Sequence, residues 1–391
     1  MSYSQEFKTK TILQPRQNPS TKDFWGIALD VGYSAVKIFS PNVIGCFPSY
    51  AKKVEYGYAD HPIGGLEKTF IAYRDEEDNE YSVGANAQDK IRVSDADSST
   101  ANLYVKDRFY SPEFRVISRV GLALGMMRNQ YNDPSGKILH VQTGLPPEYM
   151  SMYTDDITAA FVGRHHFQIK LGQSGWVPFE FEILPENFAI MPQPMGTLIS
   201  IATDKNGGAL PEAKRYFSSN LLIVDPGFGT LDTFDIKSHF VDTAKTWDNL
   251  GMMRVLQETQ KYIKEDKGIN IPVPAMQKIL GDGYFKDKID KQTMRQGTVD
   301  ITDYLKKANK AICMEAINTI NGYYNYLQDE DFLVITGGTG AAWINIIKEF
   351  YKEMSTLKII DGSANDTVPA IFSNVRGYYM QQLNALKKRS K

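Results

Sequence analysis

Cysteine is nearly absent from the chain: Cys46 and Cys313 are the only two among 391 residues. That excludes a disulfide framework and a thiolate metal centre. Histidine is scarce too. The five (His61, His140, His165, His166 and His239) show no ligand spacing, and the adjacent His165 and His166 are badly placed to share one metal. No run of about 18 apolar residues occurs, so no spanning helix is expected. The opening stretch Met1–Asp23 lacks an apolar signal core, which argues against secretion. Neither sign of charge dominates. Lys plus Arg is 44 against 46 for Asp plus Glu, a formal charge of -2. This balance argues against a surface built wholly to grip nucleic acid or an acidic membrane. What is there is ordinary for a globular chain, with 42% apolar and 23% charged residues and length enough for about two domains. The expectation is a soluble, reduced, cytoplasmic protein.

Residues 1–23 are polar, carry Pro15 and Pro19, and read as a flexible arm. From Phe24 the pattern becomes strand, tight turn, strand, through Asp30, Gly32, Ser34 and Lys37 to Phe39. An irregular polar stretch follows from about Pro48 to Arg108. It holds a hairpin, Phe70–Arg74 and Tyr81–Gly84, around the acidic turn Asp75–Asn79. The spacing predicts helices over Phe114–Tyr131, Met195–Thr203, Asn249–Lys264, Asp303–Leu327 and Ala341–Met354. It predicts strands over Ile138–Thr143, Phe179–Leu184, Leu221–Val224 and Phe332–Ile335. Pro192 and Pro194 are read as delaying the second helix. No repeat of 20–50 residues is visible. Alternating strands and helices indicate an α/β fold.

Three glycine-rich turns each follow a strand at once, where α/β sheets bind ligands. Glycines let backbone N–H groups approach an anion closely. No Walker-type GxxxxGK sequence is present, so a phosphate site would have to be assembled from separate hairpins. The first turn is Asp30-x-Gly32-Tyr33-Ser34, with Lys37 on the return strand as a point charge for phosphate. An Asp beside phosphate makes sense if hydrated Mg²⁺ lies between them. The second is Asp225-x-Gly227-Phe228-Gly229-Thr230-x-Asp232. The third, Gly337-Gly338-Thr339-Gly340, joins a strand to a helix and is bare enough to lie against a nucleoside.

Taken in order, the three turns resemble the two phosphate loops and the adenosine loop of the actin, heat-shock chaperone and sugar-kinase ATPase superfamily. Thr143-Gly-Leu-Pro146, Tyr81-Ser-Val-Gly84, Leu184-Pro-Glu186 and Phe372-Ser-Asn374-Val-Arg376-Gly377-Tyr378 are similar to bacterial plasmid-segregation actins of the ParM type. The resemblance covers roughly Phe24 to Leu386 and leaves Gly281–Asp300 without a counterpart. Pro226 and Phe228 depart from the commoner all-glycine second loop.

The resemblance implies a two-domain α/β fold of two ribonuclease-H-like halves around a central nucleotide cleft. Domain I would hold residues 24–189 and the returning segment 370–391. Domain II would hold residues 190–369. Asp30 and Asp225 would face each other and position Mg²⁺. Gly32, Tyr33, Ser34, Lys37, Gly227, Phe228, Gly229, Thr230 and Asp232 would serve the phosphates. Gly337, Gly338, Thr339 and Gly340 would back the nucleoside. Glu186, with Asp30 and Asp225, completes the expected catalytic set as the carboxylate that positions water. Arg376 reads as a structural cap or ion-pair residue, and Lys387–Lys391 as a solvated tail. The implied activity is hydrolysis of ATP, with GTP as the alternative, coupled to filament assembly that separates plasmid copies. The implied partners are further copies of the chain and an adaptor bound to a centromere-like plasmid DNA site, without direct sequence-specific DNA binding and without a membrane. Two alternatives remain open at this point: a sugar- or acetate-type kinase on the same fold, and a non-polymerising actin-like regulator.

Overall fold

The structure is a computed structural model that describes residues 3–58, 67–90, 108–363, 366 and 368–390, apart from the side chain of Pro274. His61, parts of the irregular stretch before Arg108, and Lys391 lie outside the described residues. The elements run β1 (Ile12–Pro15), β2 (Phe24–Val31), β3 (Ala35–Phe39), β4 (Val43–Pro48), β5 (Ala51–Val54), β6 (Ile71–Arg74), β7 (Glu80–Val83), α1 (Ala85–Gln88), α2 (Pro112–Met126), β8 (Ile138–Leu145), α3 (Met150–Phe161), β9 (Gly163–Leu171), β10 (Val177–Ile183) and β11 (Phe188–Pro192). They continue with α4 (Gln193–Ala202), α5 (Ala213–Ser218), β12 (Leu221–Pro226), β13 (Thr230–Lys237), β14 (Phe240–Asp248), α6 (Met252–Lys267), α7 (Val273–Asp282), β15 (Tyr284–Lys286), β16 (Thr298–Asp300), α8 (Thr302–Tyr323), β17 (Phe332–Ile335), α9 (Gly337–Phe350), β18 (Lys358–Asp361) and α10 (Ser373–Arg389).

Two sheets share one plan. The first has the order β1-β4-β3-β2-β8-β11, the second β14-β13-β12-β17-β18. In each, three antiparallel strands (β4-β3-β2 and β14-β13-β12) are followed by two parallel ones, with β1 added antiparallel at the outer edge of the first sheet: β2 pairs parallel with β8 and β8 with β11, as β12 does with β17 and β17 with β18. The duplication explains why no short repeat is visible, because each copy is a whole domain rather than a motif. A third sheet, β10-β9-β6-β7-β5, carries the predicted hairpin, and β15–β16 form a small ribbon within Gly281–Asp300.

Both central strands are buried on both faces, as their near-continuous apolar runs require. Ile27, Leu29 and Val31 of β2 face the α2 side, packing with Ile117 and Val120, while Ala28 packs towards Tyr379 and Met380 of α10. Leu222 and Val224 of β12 join the core formed with α6 to α9, while Leu221 and Ile223 meet Leu198 and Ile201 of α4. Helix α2 starts at Ser111, whose hydroxyl accepts from the Phe114 N–H at 3.1 Å.

Residues 3–23 differ from the flexible arm expected of them. Strand β1 adds to the edge of the first sheet by pairing antiparallel with β4. Upstream, Phe7 is buried in the core of the other half, beside Ile279 and Leu280. Gln5 Nε2 donates to the Gly281 carbonyl at 3.1 Å, and the Thr9 N–H to Gln277 Oε1 at 3.3 Å. The segment is therefore a strap with one end on each half. Its polarity reflects the chain's exposed side; the buried Phe7, with Tyr3 packed beside it, and an edge-strand ladder hold it. Helix α4 begins at Gln193, earlier than its prolines suggest, because Pro194 falls in the first turn, where no N–H partner is needed. Arg376 caps the end of α4. Its guanidinium donates to the carbonyls of Ser200 (2.7 Å), Thr203 (3.1 Å) and Asp204 (2.8 Å) and to Asp366 Oδ2 (3.2 Å). The basic tail is the last turn of α10 up to Arg389.

Candidate nucleotide cleft

An open cavity lies where the carboxyl ends of β2 and β12 meet, one from each sheet. Ligand sites of α/β sheets lie at such strand ends. The two turns that border it are built alike. The Gly32 N–H donates to the Ala35 carbonyl at 3.0 Å, and the Gly227 N–H to the Thr230 carbonyl at 2.8 Å. Each turn is preceded by a buried Asp on the last part of its strand.

Antiparallel register decides which side chain meets which carboxylate. Lys37 is the direct partner of Asp30 across β2–β3, and its Nζ lies 2.7 Å from Asp30 Oδ2. Burial works most strongly on the Lys37 ammonium and disfavours it, but the charge and hydrogen bond of Asp30, with the Asp225 charge, together more than offset it and the net shift is upward. The other Asp30 oxygen accepts from Gln193 Nε2 at 3.1 Å. In the second half the partner of Asp225 across β12–β13 is another acid, Asp232. Burial pushes both carboxyls up, with each other's charge adding to it for Asp232, which lies well above the ordinary Asp range. Asp225 Oδ2 accepts from Asn374 Nδ2 at 2.5 Å and Asp232 Oδ2 from the Thr230 hydroxyl at 3.1 Å, while Asp232 Oδ1 has no hydrogen-bond partner among the described residues.

Helix α6 holds the second turn from behind: the N–H groups of Met252 and Met253 take the carbonyls of Gly227 (3.1 Å) and Phe228 (2.8 Å). Carbonyls anchored in this way are drawn off the anion-facing side of the loop. The Thr339 hydroxyl donates to the same Gly227 carbonyl at 2.7 Å, tying the third turn to the second. Gly337 has φ +76°, and a Cβ there would sit 2.3 Å from Asp225 Oδ1. Both facts demand glycine.

Of the residues expected here, Asp30, Gly32, Tyr33, Ser34, Lys37, Asp225, Gly227, Phe228, Thr230, Asp232, Gly337, Gly338 and Thr339 all border the cavity. Gly229 turns instead to the Tyr33 ring, beside a smaller hollow near Asn249. Gly340 lies one turn into α9 against Ile335 and Pro226, since the helix starts at Gly337 and not at Ala341.

Glu186 does not border the cavity. It is exposed and precedes β11, whose parallel partner for Phe188 is Val141 of β8. That is the amino end of the strands, away from the cavity. Its charge is felt there by His140, which burial takes down to about 4 with Arg389 adding to the shift and Glu186 opposing it. The carboxyl end of β11 instead delivers Gln193 to the cavity. Reading Pro192 and Pro194 as breakers hid this residue; a strand end followed by Pro at the second helical position was the available signal.

Other lining residues were also missed. Arg108 and Tyr149 reach the cavity beside the first turn, Asn374 bridges to Asp225, and Glu6, Phe7, Lys8 and Thr9 of the strap line it from outside. Among the described residues no three His, Cys, Asp or Glu side chains converge to hold a bare ion. The donor set, two carboxylates already engaged by Lys37, Gln193 and Asn374, suits a hydrated Mg²⁺ reached through water. No helix among the described residues is long and apolar enough to cross a membrane.

Residues 28–196 match the family model for the N-terminal domain of actin-like proteins. No curated protein matches the chain. Among solved structures, a pCBH ParM described as a non-polymerisable quadruple mutant aligns with TM-score 0.68 at 20% identity, over 94% of this chain and 100% of that one. A 15-stranded ParM filament from Clostridium botulinum aligns with TM-score 0.66 at 20% identity, over 92% and 100%. The archaeal actin homolog Ta0583 in complex with ADP aligns with TM-score 0.58 at 14% identity, over 93% and 100%. The fold is that of the actin-like proteins.

Proposed function

We propose that this actin-like chain binds and hydrolyses a nucleoside triphosphate in the cleft and assembles into filaments that partition plasmid DNA. The observation that carries the reading is the meeting of two equivalent Asp–Gly turns, one from each half, at one cavity closed by the first turn of α9. Such a pair grips a phosphate tail from both sides, so the nucleotide state becomes the relation between the halves. The filament step draws on the ParM filament that shares the fold. ATP, or GTP in its place, is the substrate, and Asp30 and Asp225 would hold Mg²⁺ through water. The metal would supply charge neutralisation on the phosphates. Residues 24–189 with the returning segment 370–391 would form domain I and residues 190–369 domain II, the strap linking them.

Within the cleft Gln193 takes the place expected of Glu186. Its amide can donate to and accept from a water and so orient it, as a glutamine can do in phosphoryl transfer without taking the proton. Its hydrogen bond to Asp30 fixes the amide's direction. The Tyr33–Ser34 stretch and Gly227, Phe228 and Thr230 would bind the phosphate tail, and the Gly337–Gly338 backbone the nucleoside. Head-to-tail repetition of one subunit gives an open helical filament. An adaptor on a centromere-like plasmid site would join the filament to its cargo.

Phosphate release from ATP or GTP with Mg²⁺ and no added sugar, followed by negative-stain microscopy of the same sample, tests the reading. Release together with filaments supports it. Release only when a sugar is added, with no filaments, would make the chain a kinase.

A further inference from the structure

Arg108 is almost completely buried, yet among the described residues no carboxylate pairs with it. Its Nη2 donates to the Val31 carbonyl at 2.7 Å, between Asp30 and Gly32 in the first turn. The guanidinium carbon stands 4.2 Å from the Tyr33 ring centroid, with Phe109 and Phe114 on its other sides. Its Nη1 is buried and has no hydrogen-bond partner. The residue borders the nucleotide cavity together with Tyr33, Ser34 and Tyr149.

A guanidinium held out of water with an unused donor is unfavourable unless an anion reaches it. Stacking on aromatic faces offsets part of that cost but leaves the Nη1 protons unmet. The other cation of the first turn is already committed, because Lys37 is bound to Asp30. The cavity also carries Asp225 and Asp232, so an incoming phosphate tail meets more negative than free positive charge. Among the described residues Arg108 is a buried cation against the first turn with a donor left to give.

We propose that Arg108 is a phosphate-contacting residue whose Nη1 donates to the phosphate tail of the bound nucleoside triphosphate. The inference rests on the nucleotide reading of the cleft and deepens it. It assigns the residue that offsets the tail's charge on the first-turn side, where sequence reasoning placed Lys37. Val31 and Tyr33 fix the fork before the ligand arrives, so little side-chain freedom is lost on contact. Lys would match the charge but not the planar stack.

The test compares Arg108→Met with wild type for binding of the triphosphate that wild type prefers, ATP or GTP, and of the matching nucleoside without phosphates. Nucleotide-free melting is recorded alongside. Triphosphate affinity should fall by about tenfold or more, the scale of one hydrogen bond to a charged group, while nucleoside affinity stays within about twofold. Nucleotide-free melting should not fall, since an unmet buried charge has been removed. Equal losses for triphosphate and nucleoside, or no loss for the triphosphate, overturn the proposal and leave Arg108 a stacking residue. Should Arg108→Met not fold, the same ratio on Arg108→Lys decides: a drop of about threefold or more supports the contact and an unchanged ratio refutes it. Wild type that binds neither ligand would sink the nucleotide reading itself, a result distinct from all of these.

Discussion

Gly377→Ala should damage the protein far beyond what one methyl group suggests. Helices α4 and α10 cross backbone to backbone at Gly196 and Gly377. A Cβ on Gly377 would stand 1.7 Å from the Gly196 carbonyl oxygen and 2.4 Å from its carbon. The neighbouring contacts offer no slack: a Cβ on Gly196 would meet the Asn374 carbonyl at 2.5 Å, and one on Gly144 the Tyr378 hydroxyl at 2.1 Å. The obstructing atoms at Gly377 are backbone, so relief requires moving a helix by roughly 1.7 Å to reach ordinary contact. Overpacking of this kind costs about 1–3 kcal/mol and sometimes more, and the upper end applies here. The damage should also reach the cleft, because Arg376 caps α4 and Asn374 holds Asp225 from the same turn of α10. Thermal melting followed by circular dichroism, with nucleotide affinity on the same sample, checks this. Melting should fall by several degrees and affinity should weaken with it. Gly322→Ala is the control: it lies in α8 with open space around it and should stabilise by about 0.5–1 kcal/mol. A Gly377→Ala protein that melts within a degree of wild type would refute the close-crossing argument.

Three further outcomes follow from the same geometry. Gln193→Ala should bind nucleotide but release phosphate slowly, on the scale of about 10²-fold for a lost water-orienting group, whereas Glu186→Ala should leave the rate unchanged; a slow Glu186→Ala enzyme with a normal Gln193→Ala would restore the original assignment. Phe7→Ala removes the strap's anchor, so hydrogen exchange of residues 3–10 should speed up and melting should fall by the equivalent of about 3 kcal/mol; unchanged exchange would mean that Phe7 does not hold the strap. Glu330 is pushed up to about 7 by burial first and by the neighbouring Asp235 second; its folded-state value lies above the unfolded one, so stability is lost as pH rises from the ordinary carboxylate range through about 7, and Glu330→Gln should raise melting at pH 8 and change it little at pH 5, an equal gain at both being the contrary result.

The fold class was legible because its carriers are local. Leu221–Val224 and Phe332–Ile335 are short apolar runs that only a doubly covered strand accommodates, and α8 shows its apolar stripe at helical spacing. The turns at Asp30 and Asp225 were legible for the same reason, since glycine after a strand-ending Asp has few structural uses. What escaped depends on distance in the chain. Strands β13 and β14 mix Thr, Asp and Lys with apolar residues, so their alternation is blurred, although pairing with β12 defines them. Arg108 earns no notice from its neighbours in sequence and becomes significant only when folding sets it against Val31. Glu186 and Gln193 lie at opposite ends of one short strand. Which of them reaches the cavity turns on strand direction, which β8 imposes on β11 through parallel pairing and which no local pattern records. The strap is the extreme case, for nothing within residues 1–23 indicates that its two ends rest on different halves.

The central claim is that nucleotide in the cleft governs the relation of the two halves and thereby assembly. Light scattering of the full chain, titrated in protein with and without ATP or GTP and Mg²⁺, tests it most directly. The account predicts scattering only with triphosphate and metal, only above a threshold protein concentration, and decaying as the triphosphate is consumed. Scattering that is independent of nucleotide, or a flat trace at high micromolar protein while phosphate is released, would contradict it.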